Sequence, residues 1–222
     1  MPDRPIRPGL QERYDRRQQE IVAAAASAFA RQGYDQTTMQ DLARQLGLAT
    51  GALYHYFGSK EQLLIAICDA MTEPMLARAR EVRAGDEPAA DRLRTLVRIW
   101  VAHVIEYQDH TLVFQQERHV IEADEQWRRV RANQKSFERI VGRLLDEARP
   151  GATRPRDRRI ASGALLGMVN HTANWCRPGG RLGADDIADG YLSLLLDGPD
   201  PPPSERRRSP SVRAAPAGSP PS

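Results

Sequence analysis

Apolar residues recur at intervals of three and four along most of the chain, the spacing that places them on one face of a helix. The first clear run is Ile21, Ala25, Ala28 and Phe29, and comparable runs follow as far as residue 196. The every-second-residue alternation of a half-buried strand appears nowhere. Alanine is abundant and aromatic residues make up only 6% of the chain, a balance that favours helices over sheets. The pattern predicts an all-α fold of about nine helices.

Glycine, proline and charged segments divide the chain into four parts. We predict a flexible N-terminal arm over residues 1–12, a small three-helix domain over 13–60, a larger helical domain over 61–197 and a disordered Pro/Arg/Ser tail over 198–222. The first helix of the larger domain is expected to bend or end near Pro74, because proline cannot donate the helical hydrogen bond.

Several classes of protein are disfavoured by what the sequence lacks. No stretch approaches the roughly 18 apolar residues of a membrane span, and the charged first 17 residues do not have the apolar core of a signal peptide. Cys68 and Cys176 show neither disulfide nor metal spacing. There is no Gly-rich phosphate loop, Ser-centred elbow or His/Cys/Asp metal cluster. We therefore expect a cytoplasmic protein with reduced thiols, no metal, no cofactor and no enzymatic activity.

Positive charge is concentrated at the two ends of the chain. The net charge is +3, with +2 in residues 1–60 and +2 in residues 198–222, so the middle is close to neutral. This distribution hints at an anionic partner but does not by itself identify nucleic acid. The near-neutral middle argues against a protein that coats DNA without sequence preference, since such binding requires many phosphate contacts.

The segment between Thr38 and Phe57 has the pattern of a helix-turn-helix. Thr38 and Asp41 form a Thr-x-x-Asp capping pattern, and Gly47 can adopt the left-handed conformation that a tight turn between two short helices requires. The second helix of such a unit presents its N-terminal residues to base edges in the major groove. Taken alone, a glycine turn between helices is common, and its aromatic run could be ordinary core packing. The residues predicted to contact DNA are Thr38, Gln40, Thr50, Gly51, Ala52, Tyr54, His55, Tyr56 and Lys60.

The residues around this segment closely resemble the DNA-binding domain of the TetR family of regulators. The resemblance rests on Thr38–Ala43, Gly47-Leu48, Gly51–Phe57 and Ser59–Leu64 and covers about residues 13–64. It implies an all-α homodimer with an N-terminal domain that binds double-stranded operator DNA and a C-terminal domain for ligand binding and dimerisation. It also implies repression relieved by a small molecule.

Three positions depart from the usual family pattern. Ala49 replaces a frequent capping residue, Ala52 stands where Thr or Ser is common, and Gln40 replaces a frequent Arg. Glutamine pairs with adenine where arginine pairs with guanine, so the operator sequence is left open.

Two apolar helices near the C-terminus are predicted to form a four-helix interface between two copies of the chain. The alternative is that their apolar residues form the core of a single chain. The residues predicted at the interface are Ala164, Leu165, Met168, Trp175, Ile187, Tyr191, Leu194 and Leu195.

The segments Leu166–Asn170 and Asn174–Leu182 resemble a branch of the family that responds to CoA thioesters of catabolic acids. The ligand is therefore predicted to be a small hydrophobic molecule, with an acyl-CoA thioester as the first candidate. A drug-like or other hydrophobic compound without CoA is the alternative. Aromatic residues at helical spacing are also common in ordinary cores. The predicted ligand-binding residues are Trp100, His103, Tyr107, Phe114, Arg118, Trp127, Asn170 and Asn174.

Overall fold

The all-α prediction is confirmed by a computed structural model, which describes residues 8–123, 125–148, 155–177 and 179–196. These ranges contain ten α-helices and one short 3₁₀ turn at Glu125–Trp127, and no strand. The helices are α1 Pro8–Gln32, α2 Met39–Gln45, α3 Thr50–Phe57, α4 Lys60–Ala84, α5 Ala89–Glu106, α6 Gln108–Gln116, α7 Arg118–Ala123, α8 Arg128–Ala148, α9 Pro155–Trp175 and α10 Ala184–Leu196.

Two of the predicted boundaries need correction. Helix α1 begins at Pro8, so the arm predicted over residues 1–12 is helical from residue 8 onward. Residues 1–7 and the predicted tail over 198–222 lie outside the described residues. Helix α4 does not end at Pro74, because it continues from Lys60 to Ala84 as one helix.

Helix α4 connects two hydrophobic cores. Its first half supplies Leu64 and Ile67 to the core of the DNA-binding domain predicted above, together with Phe29 of α1 and Leu53 of α3. We call α1–α3 and the first half of α4 the head. The second half of α4 packs with α5, α8, α9 and α10 around the larger core, which we call the body.

The body also contributes residues to the core of the head. Val113 of α6, Trp127 of the 3₁₀ turn and Val130 of α8 are fully buried there. The Arg129 guanidinium, next to Val130, pairs with the carboxylate of Asp69 on α4. Head and body are therefore joined by shared packing as well as by α4, so a rearrangement in the body has a direct route to the head.

No helix within the described ranges is both long enough and apolar enough to cross a bilayer. In the same part of the chain, no group of His, Cys, Asp and Glu side chains is arranged to hold a metal ion.

Candidate DNA-binding head, ligand cavity and exposed helical face

The turn between α2 and α3 is a Schellman motif. Gly47 has φ +63°, as its predicted left-handed conformation requires. The Leu48 N–H donates to the Ala43 carbonyl at 2.8 Å, and the Gly47 N–H donates to the Arg44 carbonyl at 3.2 Å. Together these two bonds satisfy carbonyls at the end of α2 and fix the direction in which α3 leaves.

The Arg17 side chain supports the same turn from α1. Its guanidinium donates to the Leu46 carbonyl at 3.1 Å and also pairs with Glu20 at 2.7 Å. Arg17 is not among the predicted residues, since nothing local in the sequence shows that α1 passes beside the end of α2.

Replacement of Gly47 by Ala is expected to reduce the free energy of unfolding by about 1–2 kcal/mol, the cost of a left-handed residue that carries a Cβ. Chemical denaturation of the purified chain measures this change. Gly51→Ala is the matched control, because Gly51 lies inside α3 with no atom within 4 Å of an added Cβ; it should stabilise the chain by about 0.5–1 kcal/mol. An equal response at both positions would contradict the role of the Gly47 conformation.

Helix α3 presents a largely open surface outside the core of the head. Leu53 is buried, whereas Gly51, Tyr54 and His55 are exposed, with Tyr54 at 47%. The predicted contacts Thr50 and Ala52 are half-buried. The N-cap residue Ala49 makes no side-chain hydrogen bond to α3. The start of α3 thus combines an open surface with backbone amides that no side chain caps.

Two of the other predicted DNA-contact residues, Thr38 and Tyr56, also make contacts within the head. The Thr38 hydroxyl accepts from the Asp41 N–H at 3.1 Å and donates to the Asp41 carboxylate at 2.5 Å, which lowers the pKa of that carboxyl. Tyr56 is half-buried and stacks on Tyr14 with ring centroids 4.9 Å apart. Gln40 on α2 is exposed.

Lys60 is held at the start of α4 by contacts within the head. Its ammonium lies 4.2 Å from the centre of the Tyr34 ring and 3.5 Å from the Asp35 carbonyl, a long hydrogen bond. Burial, with Glu61 and other carboxylates nearby, raises the pKa of Tyr34 to about 12. The ring therefore remains neutral and its face is available to the lysine cation.

The body encloses a cavity of about 500 Å³ between α4, α5, α6, α8 and α9. Its inner end is largely apolar, because three of its four buried lining residues are Met75, Trp100 and Val104. The fourth is Thr111, whose hydroxyl donates to the Tyr107 carbonyl at 3.0 Å. Four of its lining residues are exposed and mark its mouth: Arg118, Gly163, Gly167 and His171. The cavity therefore suits a ligand with an apolar part inside and a polar part near solvent.

Five of the eight predicted ligand residues line this cavity: Trp100, His103, Phe114, Arg118 and Asn170.

Three predicted ligand residues do not line the cavity. Tyr107 stacks on His103 with ring centroids 4.4 Å apart, and Asn174 donates to the Gln115 side chain at 3.1 Å, so each contacts a lining residue from outside. Trp127 is fully buried in the core of the head. The prediction that Trp127 contacts the ligand is therefore wrong, because Trp127 is a core residue that connects head and body.

The cavity walls on α4 and α8 contain no residue that the sequence predicted to bind ligand. Phe137 packs edge-on against Trp100 at 4.7 Å between ring centroids, and Gln134 and Glu138 lie beside it. Met71 and Thr72 supply the wall on α4. Their helical spacing predicts a buried face but does not distinguish a cavity wall from a filled core.

One exposed face of α9 is largely apolar, with His171 as its one polar member. Ile160, Ala164, Gly167, His171 and Trp175 follow one another at intervals of three and four, so they share one helix face. Ile160 is 60% exposed and Trp175 is 45% exposed. On α10, Leu194 is 57% exposed. We call this surface the α9–α10 face.

The predicted interface residues divide between this face and the core of the body. Leu165 and Ile187 are buried within the single chain, so for these two the intrachain alternative is correct. Met168, Tyr191 and Leu195 are half-buried against the body core. Ala164, Trp175 and Leu194 are exposed.

Two family descriptions together match most of the chain. Residues 21–67 match the bacterial regulatory proteins of the tetR family, and residues 86–199, just over half of the chain, match the tetracyclin repressor-like C-terminal domain. The chain belongs to the TetR family of bacterial regulators. Its head is the family's helix-turn-helix DNA-binding domain and its body is the family's helical C-terminal domain.

Individual TetR-family proteins are similar over most of their length. The HTH-type transcriptional repressor KstR2 of Rhodococcus jostii is 28% identical over 184 residues, 82% of this chain and 90% of KstR2. A TetR-family regulator from Bordetella parapertussis has a TM-score of 0.74 and 29% identity, covering 82% of this chain and 94% of its own. A structure of AibR in complex with isovaleryl coenzyme A and operator DNA has a TM-score of 0.69 and 27% identity, covering 83% of this chain and 100% of its own.

Proposed function

We propose that this TetR-family regulator is a homodimeric repressor that binds a palindromic operator and releases it when an acyl-CoA thioester occupies the cavity. The observation that carries the proposal is the position of α4. The same helix supplies Met71, Thr72 and Met75 to the cavity and Leu64 and Ile67 to the core of the head. A ligand that displaces the cavity end of α4 therefore biases the orientation of the head.

The exposed surface of α3 is the proposed base-reading surface. Small Gly51 and Ala52 allow the backbone to approach the groove, and the Ala52 methyl suits contact with a thymine methyl. Tyr54 and His55 are exposed for contacts to phosphates or bases. The amides at the start of α3 carry the positive end of the helix dipole and have no side-chain cap, so they favour a phosphate.

The α9–α10 face is the proposed dimer interface. Its exposed Ile160, Trp175 and Leu194 are large apolar side chains, and a partner that covers them removes this surface from water. Gly163 and Gly167 have no atom within 4 Å of an added Cβ, so packing within one chain does not require glycine at either position. Close approach of a second copy would explain them. That copy would also cover the α9 side of the cavity mouth, and Arg118 on α7 would then be the remaining polar residue at the mouth.

The two ends of the cavity match the two parts of an acyl-CoA thioester. The buried end accepts an apolar acyl chain, and Arg118 at the exposed mouth is a suitable contact for CoA phosphates. The AibR relative was solved with isovaleryl coenzyme A and operator DNA together, and KstR2 is a repressor. The AibR structure supports the proposed ligand class, and the KstR2 relative supports the proposed repression.

Fluorescence anisotropy on DNA from the gene's own upstream region tests the proposal. The protein–DNA complex is titrated with isovaleryl-CoA and octanoyl-CoA, and then with the two free acids as matched controls. Release by a thioester but not by its acid is the expected result. Specific DNA binding that ignores every thioester would overturn the CoA assignment and favour a ligand without CoA. Binding that shows no sequence preference and falls steeply with salt would overturn the repressor proposal itself.

A further inference from the structure

Two asparagine side chains line the cavity from different walls. Asn133 lies on α8 and Asn170 on α9, and both are half-buried. Neither carboxamide forms a hydrogen bond with another residue in the part of the chain that the structure describes, and neither is among the partnerless polar groups there that are shielded from solvent. Their oxygen and nitrogen atoms are therefore accessible to a small molecule in the cavity.

The two asparagines lie at the same level along α8 and α9. The helices touch where a Cβ on Gly142 would lie 3.4 Å from the Ser162 hydroxyl oxygen. The short connection from Ala148 to Pro155 makes the two helices antiparallel neighbours. Asn133 is nine residues before Gly142, about 13.5 Å along α8. Asn170 is eight residues after Ser162, about 12 Å along α9 in the same direction, so both carboxamides border the same section of the cavity.

The lining of the cavity changes from its inner end to its mouth. The buried lining residues are largely apolar, the two accessible carboxamides are half-buried, and Arg118 at the mouth is exposed. An acyl-CoA thioester has the same order of groups: an apolar acyl chain, a pantetheine arm with two amide groups, and then phosphates. An asparagine can donate to the carbonyl of such an amide and accept from its N–H, so two asparagines suffice for two amides.

A carboxylate on the α8 wall disfavours phosphates inside the cavity. Glu138 is a half-buried lining residue that accepts from the Gln134 amide at 3.0 Å and pairs with no cation within the described ranges. Negative charges repel one another more strongly in a partly buried site than in water. A cavity of about 500 Å³ also suits a drug-sized ligand, and a whole acyl-CoA is larger than that.

We infer that the cavity encloses the acyl-pantetheine part of the thioester and leaves the nucleotide outside. Asn133 and Asn170 each hydrogen-bond one amide group of the pantetheine arm, and the phosphates lie beyond the mouth near Arg118. The inference rests on the proposed function, because it divides the proposed ligand into the part that the cavity recognises and a part that adds little affinity.

The two amides should contribute more to affinity than the nucleotide does. A chain without amides removes water from both carboxamides and returns no hydrogen bond, whereas each matching amide is expected to raise affinity by about threefold to tenfold. Ion pairs at an exposed position such as the mouth contribute little, so loss of the nucleotide is expected to weaken binding by no more than about tenfold.

The test measures binding of four octanoyl thioesters to the full-length chain by isothermal titration. Octanoyl-CoA and octanoyl-pantetheine both contain two amides, and only the first has a nucleotide. Octanoyl-N-acetylcysteamine contains one amide, and the thioester of 2-(2-methoxyethoxy)ethanethiol replaces the arm by ethers without any amide. The unaltered chain is compared with Asn133→Leu, Asn170→Leu and the double variant. Thermal unfolding without ligand shows that each variant is folded.

In the unaltered chain, affinity should rise from the amide-free thioester through the one-amide thioester to octanoyl-pantetheine, which should bind within about tenfold of octanoyl-CoA. The double variant should lose this rise and keep its affinity for the amide-free thioester, which serves as the control for the shape of the cavity. Each single variant should lose part of the rise.

Three results would overturn this inference alone. One is an amide-free thioester that binds the unaltered chain as tightly as octanoyl-pantetheine. Another is octanoyl-pantetheine binding more than about tenfold more weakly than octanoyl-CoA, which would show that the nucleotide is the main determinant of affinity. The third is a rise that survives in the double variant. If none of the four thioesters binds, the ligand class proposed above fails, and this inference fails with it.

Discussion

Replacement of Gly51 by Glu is expected to lower operator affinity by at least about 100-fold without destabilising the fold. The substitution places a carboxylate on the exposed start of α3, where the proposal brings the phosphate backbone and base edges close. Like charges brought together at an interface cost several kcal/mol. A dimer on a palindrome experiences the effect twice, once in each half-site.

The fold should tolerate this change because of its local surroundings. A Cβ at Gly51 meets no atom within 4 Å, and replacing a helical glycine with a helix-forming residue stabilises by about 0.5–1 kcal/mol. A carboxylate in the first turn also interacts favourably with the helix dipole. If the Gly51→Glu variant loses operator binding while its thermal stability is unchanged or raised, the defect therefore lies in the protein surface that contacts DNA.

Gly51→Gln is the matched control, since it adds nearly the same volume without the charge. Anisotropy titrations at one fixed salt concentration should show a clearly smaller loss of operator affinity for Gly51→Gln than for Gly51→Glu. The difference between the two losses is then the effect of the charge. If the Glu variant binds within about threefold of the unaltered chain, the start of α3 does not face DNA and the proposed reading surface is wrong.

The head was predictable because its signals are local. Thr38 caps α2, Gly47 ends it in a left-handed turn, and Ser59 caps α4 by accepting from the Gln62 N–H at 3.1 Å. Each signal depends on residues no more than a few positions apart, so periodicity and capping rules are sufficient. Helix α3 ends at Phe57, the residue at which the helix-turn-helix was predicted to end.

The body was harder to predict because the role of each apolar residue depends on which other helices pack against its own helix, and the pattern of a single helix does not show this. Trp127 follows a helical pattern like its neighbours in the body, yet it is buried in the head, which a single helix cannot reveal. Leu165 and Ala164 are adjacent on α9, but Leu165 faces its own core while Ala164 faces outward. Hydropathy alone cannot distinguish a face buried within a chain from one that a second copy would cover.

Pro74 illustrates a local rule that tertiary packing overrides. Proline removes one backbone hydrogen bond within α4, and the chain was expected to bend or end there. Residues on both sides of Pro74 are buried, however, with Cys68 in the head core and Leu76 and Ala79 in the body core. Burial on both sides holds α4 together across the proline, since packing contributes more to helix stability than propensity does.

Charges placed on the α9–α10 face are expected to convert the proposed dimer into monomers of 24.9 kDa. The variant is the double substitution of Ala164 and Leu194 by Glu. Both residues are exposed in the single chain, so the subunit loses little packing. At a two-fold interface each carboxylate occurs twice and is buried without a partner, which costs several kcal/mol per ion. The dissociation constant of the dimer should therefore rise by about 1,000-fold or more.

Sedimentation equilibrium over a range of protein concentrations measures the dimer, and operator binding measured on the same samples shows what dimerisation contributes. Ala77→Glu is the control, because Ala77 is also exposed but lies on α4, outside the proposed interface. The control should remain a dimer and bind DNA as before, while the double variant loses both properties because one head alone contacts only half of a palindrome.

A double variant that keeps its circular dichroism spectrum and still sediments as a dimer would place the interface on another face. Operator binding by stable monomers would instead show that α9 and α10 have no part in DNA recognition, and that the palindromic operator was wrongly proposed.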